Sequence, residues 1–425
     1  MATRRKPDAS EEEPLIPPQI YPKETDPIPT YRIDLALPPA QRYAEMARDF
    51  SPQLRQTTPV FLELLQWFVP NQYVRSGIIG CMKVLLRRVY DDVQTEEIRG
   101  IANISGMDLY LLVALNVLLD AMLGCTSGAA RVQGGADGQG SRLLHFRTLD
   151  WAMDRLRALL VTLEFVDSSS DQPHKVVARS VTYAGFVGVL TGVREGLSIS
   201  LNFRPSHNSR GYGIRWHQLL VVLGYRPSIA SVLRDLILNP RPSHQSASAV
   251  AAELASTRTS PAYLCLCDGQ EASMIEKDLL SGAVRTDPGF VVQTNHDVSR
   301  HESALPKPAE TSATAEALSA MAKKDTPNDE SWVEESAERM QCMIDFWNDK
   351  TAAAAARAGA GVEDIYLLQE DLENKVRSRP TSREWTHFRC VMDPQNGAFT
   401  LVERGPPPLP PDQQRAVQEA AAGRG

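Results

Sequence analysis

The sequence predicts an α+β protein in which two stacked sheets are covered by helices. Apolar residues at helical spacing fill most of 39–123, and a β-rich stretch punctuated by Gly and Ser runs from 125 to about 204. Helical segments at about 213–223, 227–238 and 246–256 come before further strands. The order of strands, helices and strands fits two sheets packed on each other with helices outside.

The composition is that of an ordinary globular protein. Of 425 residues, 43% are hydrophobic and 23% are charged, and the net charge of −7 argues against nucleic-acid binding as the main function. No run reaches the roughly 18 uncharged apolar residues that a membrane span needs. The N-terminal residues lack the apolar core of a secretory signal, so we expect an intracellular protein, with the cytoplasm favoured.

The six cysteines do not make a disulfide framework in a chain of this length. Cys265 and Cys267 form a C-x-C pair with no second pair, so zinc is not expected, and both are predicted to be small core residues. We predict no metal and no organic cofactor.

The junction between Gly124 and Cys125 organises the rest of the chain. A long apolar run (107–123) stops at Gly124, and Cys125 opens the strand CTSGAARVQ. A Gly-rich hairpin leads to a second strand, RLLHFRTLDW, so a thiol, the Arg147 guanidinium and the Asp150 carboxylate lie on adjacent strands. A lone cysteine is usually a buried packing residue, and it is this context that favours a functional thiol.

This arrangement suits an N-terminal nucleophile hydrolase that cuts its own Gly124–Cys125 bond. The freed α-amine (pKa about 7.7–8.0) and the thiol (about 8.5) can exchange a proton, so one residue is both nucleophile and base. Arg147 would favour the thiolate, and Asp150 could accept hydrogen bonds from the ammonium. Strict strand alternation puts these two on opposite faces, so both reach the site only if the strand ends or bends near Thr148.

Several motifs in the same order resemble the family of acid ceramidase and N-acylethanolamine-hydrolysing acid amidase. They are GCTS, FRTLDW, YAGFVGVLTGVREGLSISLN (183–202) and VVQTNHD (291–297). The similarity starts near PTYRIDLALPPAQRYAEM (29–46) and runs to FRCVMDPQNGAFTLVER (388–404). It implies the four-layer αββα sandwich of N-terminal nucleophile hydrolases. Because the relatives are lysosomal, a lysosome or vacuole stays an alternative location.

The resemblance also implies roles for further residues. Asn295 in QTNHD would donate to the oxyanion, and Asn202 in SLNF would hold the substrate amide or the free amine. Phe203 stands where closer relatives have Glu, and no equivalent of their paired Arg follows QTNHD. His296 is predicted to support the site from behind or to lie at the surface.

Five regions follow from these patterns. Residues 1–28 are predicted to be a disordered N-terminus and 405–425 a Pro-rich disordered tail. Between them lie a helical small-subunit segment (29–124) and a catalytic domain (125–404), which carries a flexible insertion at about 300–330.

The resemblance implies a self-processing cysteine amidase that hydrolyses the amide bond of a fatty-acyl lipid. Ceramide is the first choice of substrate. An N-acylethanolamine amidase, a related acyltransferase and an uncleaved lipid-binding pseudoenzyme are the alternatives. The expected partners are the lipid substrate and the two cleavage products, which stay associated. The apolar, basic-flanked pattern at 70–92 fits either peripheral membrane contact or packing on the catalytic domain.

Overall fold

The computed structural model describes residues 22–57, 71–118, 124–134, 140–151, 153–205, 207, 209, 212–301, 329–358 and 366–408. Several stretches for which the sequence makes predictions lie outside these residues: 1–21, 59–69, 119–123, 135–139, 302–328 and 409–425.

The described part of the chain before Cys125 is helical apart from one strand. Its elements are β1 (Thr30–Asp34), α1 (Ala44–Asp49), α2 (Ser51–Gln56), α3 (Gln72–Leu85), α4 (Asp92–Ser105) and α5 (Leu109–Leu118). Asp91 caps the N-terminus of helix α4, where its side chain accepts from the Gln94 nitrogen, and Gly106, with a φ of 71°, caps its C-terminus. The two helices predicted before Cys125 are thus present as α4 and α5.

Two sheets form the centre of the molecule. Their remaining strands are β2 (Gly124–Gln133), β3 (Ser141–Asp150), β4 (Leu160–Val166), β5 (Val176–Tyr183), β6 (Thr191–Arg194), β7 (Leu197–Phe203), β8 (Ala262–Cys267), β9 (Ala272–Lys277), β10 (Gly282–Asp287), β11 (Phe290–Gln293), β12 (Thr386–Asp393) and β13 (Ala398–Arg404). The larger sheet has the order β1-β4-β5-β6-β7-β8-β9-β10 and the smaller β11-β2-β3-β12-β13. Neighbours are antiparallel except for β1 and β4, which are parallel.

The two sheets pack face to face. His145 on β3 of the smaller sheet lies within hydrogen-bond distance of Ser198 and Ser200 on β7 of the larger. Cys265 and Cys267 are buried in a small cluster between the sheets, as predicted for core residues. This inter-sheet space therefore holds polar contacts as well as apolar packing.

Helices cover both outer faces. They are α6 (Tyr212–Val222), α7 (Ile229–Leu238), α8 (Ala247–Ser256), α9 (Asp329–Ala358) and α10 (Gln369–Arg377). Helices α7 and α8 pack on the larger sheet. Met343 of α9 and Val376 of α10 join Phe146 of β3 in a core on the smaller sheet. The layers are helix, sheet, sheet, helix, which confirms the predicted α+β class and αββα order.

The segment before Cys125 is built into the rest of the fold. Strand β1 pairs with β4 from Thr30 to Asp34, and Glu97 of α4 is buried against Arg234 of α7 and Arg42. Within the described residues no helix is long and apolar enough to cross a membrane. All six cysteines are unpaired.

Candidate active site

Gly124 and Cys125 open β2 beside the end of β3. The register pairs Gly124 with Asp150 and Cys125 with Leu149. A Cβ atom on residue 124 would lie 3.3 Å from the Asp150 Cβ atom, so glycine permits an approach that a larger residue would strain. The Cys125 side chain is fully buried in the uncut chain. The thiol thus sits at a strand end, next to the bond predicted to be cut.

Arg147 is the cation beside the thiol. Its Nη2 atom is 3.4 Å from Cys125 Sγ and donates to the Leu201 carbonyl at 2.6 Å, while Nη1 donates to the Leu190 carbonyl. Burial raises the pKa of the Cys125 thiol, Arg147 acts against that rise, and Asp150 adds to it. Arg147 is therefore the group placed to stabilise a thiolate.

Asp150 is the last residue of β3 and lies opposite Gly124. The strand continues to Asp150, whose side chain is on the opposite face from Arg147, as alternation predicts. Asp150 Oδ1 accepts from Thr386 Oγ1 at 2.7 Å, and Oδ2 is 3.4 Å from Arg383 Nε. Register places Asp150 opposite Gly124, and the strand, expected to end or bend near Thr148, ends at Asp150.

Asn295 follows β11 and faces the Cys125 nitrogen with its oxygen. Oδ1 accepts from the Cys125 nitrogen at 2.8 Å and from Arg339 Nη2 at 3.0 Å. Nδ2 donates to the Phe203 carbonyl at 2.8 Å. An oxyanion contact, the predicted role, would use Nδ2 and not the atom that faces Cys125. The arrangement as it stands holds the nitrogen that cleavage would convert into an amine.

Asn202, near the end of β7 in the larger sheet, bonds to β2 and to the end of β11 in the smaller sheet. Its Oδ1 accepts from Ser127 Oγ at 2.6 Å, and its Nδ2 donates to the carbonyls of Gln293 at 3.0 Å and Thr294 at 3.4 Å. These contacts fix the approach of β11 to β7. A direct contact of Asn202 with substrate or amine stays a prediction.

Arg339 on α9 is a site residue that the sequence reasoning missed. Its fully buried Nη1 donates to the Cys125 carbonyl at 2.7 Å and to Thr126 Oγ1 at 2.8 Å. Burial lowers the pKa of the Arg339 guanidinium. The Asp150 carboxylate, 3.8 Å away, opposes that decrease. Arg339 and Arg383 thus bring two guanidiniums to Asp150.

A signal for Arg339 does exist in the sequence. In ESAERMQCM, Arg339 shares the buried face of a helix with Ser336, Met340 and Met343. A charged residue on an apolar helix face is rarely buried unless it is paired. That rule, applied to 329–358, would have singled it out.

The site as a whole is suited to nucleophilic catalysis by a thiol. It combines a nucleophile, a neighbouring guanidinium, an acceptor for the Cys125 nitrogen and a second guanidinium on the Cys125 carbonyl. In the described ranges no group of three or more His, Cys, Asp or Glu side chains is arranged to hold a metal.

Comparison with known proteins gives the same picture. A family model for the beta subunit of N-acylethanolamine-hydrolyzing acid amidase matches residues 26–90. Acid ceramidase of Heterocephalus glaber is 29% identical over 299 residues, which cover 64% of this chain and 70% of that protein. Acid ceramidase of Homo sapiens is 27% identical over 300 residues, covering 64% and 71%.

Among solved structures, the N-acylethanolamine-hydrolyzing acid amidase ortholog of Caenorhabditis elegans aligns with a TM-score of 0.40 and 20% identity, over 64% of this chain and 93% of that one. By sequence, the chain is related to the acid ceramidases and to N-acylethanolamine-hydrolyzing acid amidase, which are amidohydrolases acting on lipid amides.

Proposed function

We propose that this protein is a self-processing cysteine amidase that hydrolyses the amide bond of a fatty-acyl lipid, with ceramide as the first substrate. The observation that carries the proposal is the set of contacts around Cys125. Its thiol lies against Arg147, its nitrogen against Asn295 and its carbonyl against Arg339. A thiol, a guanidinium beside it and an acceptor for its nitrogen support the proposal.

The first step is cleavage of the chain. Cys125 Sγ attacks the Gly124 carbonyl carbon, the peptide C–N bond breaks, and the nitrogen takes up the thiol proton. Water then hydrolyses the Gly124 thioester, which leaves a carboxylate on Gly124 and a free amine and thiol on Cys125. Asn295 Oδ1, already 2.8 Å from this nitrogen, is placed to accept from the new amine.

The second step is hydrolysis of the lipid amide. The Cys125 thiolate, stabilised by Arg147, attacks the acyl carbonyl carbon, and the α-amine delivers a proton to the leaving amine. Water releases the fatty acid from the acyl thioester and restores the thiol. Asp150 adds a negative charge near the ammonium form, which favours proton uptake by the amine.

The two products of cleavage are expected to stay together. The N-terminal piece contributes β1 to the large sheet and Glu97 to a buried ion pair with Arg234. Separation would expose the β4 edge and leave a buried charge unpaired, which costs about 3–5 kcal/mol in other proteins. Association after cleavage follows from these shared elements.

Ceramide and an N-acylethanolamine differ only in the amine that leaves, so the chemistry above serves both. Acid ceramidases match this chain over 299 and 300 residues, which favours ceramide. The family model at 26–90 is that of an N-acylethanolamine-hydrolyzing acid amidase, which keeps that substrate as the second candidate. An acyltransferase would use the same thioester with an acceptor other than water.

We also propose that helices α3 and α6 contact the lipid surface from which the substrate comes. Helix α3 has no buried residue, and it exposes Tyr73 by 80% and Val84 by 72%. Helix α6 exposes Tyr212 by 92% and Trp216 by 58%. Both helices pack against α5, the helix that leads towards Cys125. Exposed amphipathic aromatic side chains favour binding at a membrane interface.

The proposed function is tested with wild type, Cys125→Ala and the matched control Cys390→Ala, a second buried thiol on the small sheet. The intact mass of wild type should show chains of 124 and 301 residues (425 − 124), and Cys125→Ala a single chain. Wild type and Cys390→Ala should release fatty acid from N-acyl-sphingosine, and Cys125→Ala should not. Hydrolysis by Cys125→Ala would overturn the mechanism. Preference for N-acylethanolamine would select the second candidate.

A further inference from the structure

A thiol and an amine meet between α9 and α10, away from the site described above. Lys375 Nζ on α10 donates to Cys342 Sγ on α9 at 2.8 Å. This separation is shorter than the 3.4 Å between Arg147 Nη2 and Cys125 Sγ. It is also shorter than the usual N–H···O distance of about 2.9–3.0 Å, although sulfur is larger than oxygen. The nitrogen and the sulfur are therefore in closer contact than an ordinary hydrogen bond to sulfur requires.

Helix α9 holds this ammonium group from two positions. Phe346, one turn after Cys342, places its ring centroid 5.6 Å from Lys375 Nζ, a cation–π contact. The ion pair that joins the same two helices uses another lysine, Lys350, which lies 2.8 Å from Asp371. Within the described residues no carboxylate oxygen lies within 4.0 Å of Lys375 Nζ. The sulfur of Cys342 is thus the group placed to be its negative partner.

The pair can be reached from solvent. Cys342 is partly exposed, whereas Cys125 and Cys390 are buried. A cavity of about 600 Å³ opens beside Cys342 and Lys375, and Pro380 forms part of its wall. A small molecule that enters this cavity can therefore meet the sulfur and the nitrogen together.

The charge of the cavity wall favours an uncharged reagent. Three carboxylates line it, those of Glu338, Asp345 and Asp349, against the two lysines Lys350 and Lys375. An excess of negative charge attracts an anionic oxidant less than a neutral one. Hydrogen peroxide is small and neutral. It oxidises thiolates to sulfenic acids, and a cation next to a thiol favours the thiolate form.

We propose that Cys342 and Lys375 form a modification site at which a peroxide joins the two side chains through a covalent S–N bond, a sulfenamide. The bond ties α9 to α10. Cys342 lies three residues after Arg339 on α9 (342 − 339), so the link fastens this helix close to an active-site residue. The site lies outside the contacts of Cys125 and does not depend on the proposed function.

The first step is oxidation of the sulfur. The Cys342 thiolate attacks one oxygen of hydrogen peroxide, the O–O bond breaks, and a sulfenic acid and a hydroxide ion form. The sulfur is oxidised by two electrons and the peroxide is reduced. The Lys375 ammonium gives a proton to the hydroxide ion, which leaves one water molecule and a neutral amine next to the sulfenic acid.

The second step forms the link. The Lys375 nitrogen attacks the sulfenic sulfur, the S–O bond breaks, and the oxygen leaves as water with a hydrogen from the amine. One thiolate, one ammonium and one peroxide thus give a sulfenamide and two water molecules, and no further reactant is needed. Lysine supplies the cation, the proton and the nucleophile from a position 2.8 Å from the sulfur.

The first test is peptide mapping of the purified wild type after treatment with hydrogen peroxide and alkylation of free thiols. Trypsin should yield peptides 340–350 and 358–377 joined to each other, because a modified Lys375 is not cleaved. Their mass should be the sum of the two peptides less two hydrogen atoms, and dithiothreitol should separate them. A sulfinic acid on Cys342 with no joined peptide would overturn the proposal. An additional oxygen in the joined peptide would overturn the direct S–N bond.

The second test uses Lys375→Arg, which keeps a cation beside the sulfur but replaces the amine with a guanidinium that stays protonated. The joined peptide should be lost, and the sulfenic acid of Cys342 should persist and be labelled by dimedone. Cys81→Ser is the matched control, because Cys81 is an exposed thiol on α3, and it should form the joined peptide as wild type does. Equal dimedone labelling of Cys342 in wild type and Lys375→Arg would overturn the proposal.

The third test asks whether the cation activates the sulfur. Lys375→Met removes the charge, so the Cys342 thiol should be lost to peroxide about tenfold more slowly than in Lys375→Arg. Equal rates in the two variants would overturn the part of Lys375 in the first step. All three tests measure peptide masses, so a protein that hydrolyses neither lipid would remove the proposed function and leave their results unchanged.

Discussion

The side-chain oxygen of Asn295 accepts a 2.8 Å hydrogen bond from the backbone nitrogen of Cys125, the atom that cleavage would turn into an amine. Arg339 donates to the same oxygen at 3.0 Å. Two donors on one side define which end of the amide is the oxygen, because an NH₂ group there would face both. Asn295 therefore connects the nitrogen of the nucleophile to a buried guanidinium.

Asn295→Ala is expected to slow both self-cleavage and hydrolysis. The substitution leaves the Cys125 nitrogen and Arg339 without this buried acceptor, at a cost of about 1–3 kcal/mol for each group. We expect lipid hydrolysis to fall by about a hundredfold or more. Asn295→Asp keeps an acceptor at the same place and should retain more cleavage than Asn295→Ala. Equal cleavage rates by mass spectrometry would show that the oxygen does not matter.

The order of helical and strand segments could be predicted from the sequence, and so could the strand that opens at Gly124 and Cys125. Both depend on local patterns. Register was harder, because the pairing of Gly124 with Asp150 is set by a hairpin and two whole strands. The strand was expected to end or bend near Thr148, and it ends at Asp150. Period-two alternation itself held, since Arg147 and Asp150 do face opposite sides.

Long-range contacts could not be predicted from one sequence. Arg339 lies 44 positions after Asn295 (339 − 295), beyond 302–328, and reaches Cys125 only because α9 packs on the smaller sheet. The orientation of the Asn295 amide depends on donors from α9 and an acceptor from β7, so no local motif encodes it.

Arg339→Lys should impair the site although it keeps the charge. The guanidinium spans the Cys125 carbonyl, Thr126 and Asn295 with two nitrogens, and a single ammonium cannot reproduce that fork. We expect self-cleavage to slow by about tenfold to a hundredfold. Lys350→Met, which removes a half-exposed ion pair with Asp371 elsewhere on α9, is the control and should cleave as wild type does. A normal rate in Arg339→Lys would mean that its charge alone suffices.

Removing exposed apolar side chains from α3 or α6 should weaken lipid binding. Trp216→Ser and Val84→Ser are each expected to reduce sedimentation with phosphatidylcholine vesicles, by about tenfold for the larger Trp216 side chain. Leu280→Ser is the matched control, because Leu280 is 53% exposed but lies between β9 and β10. If vesicle binding is unchanged in both Trp216→Ser and Val84→Ser, these helices do not contact lipid. They would then pack on the catalytic domain or bind another partner.

His145 joins the two sheets through a neutral ring. Its Nδ1 and Nε2 atoms lie 2.9 Å and 2.8 Å from Ser198 Oγ and Ser200 Oγ, and the side chain is fully buried. Burial, with a further contribution from Arg147, lowers the pKa of His145 to about 3. Because an unfolded chain restores an ordinary pKa of about 6.5, the unfolded state binds the extra proton between these values.

The free energy of unfolding should therefore fall as the pH falls from about 6.5 towards 3, by up to about 1.4 kcal/mol per pH unit from His145 alone. His145→Gln can still hydrogen-bond a serine on β7 but does not titrate, so its stability should decline less steeply by about one proton. Urea unfolding at several pH values, in the uncut Cys125→Ala background, measures how the free energy of unfolding depends on pH with and without His145→Gln. The other histidines are the same in both proteins, so their contributions cancel in the difference. Parallel slopes would mean that His145 is not the group whose protonation destabilises the folded state. A shallower slope in His145→Gln would show that acid weakens the packing of the two sheets on each other, the same packing that holds Arg147 against the nucleophile.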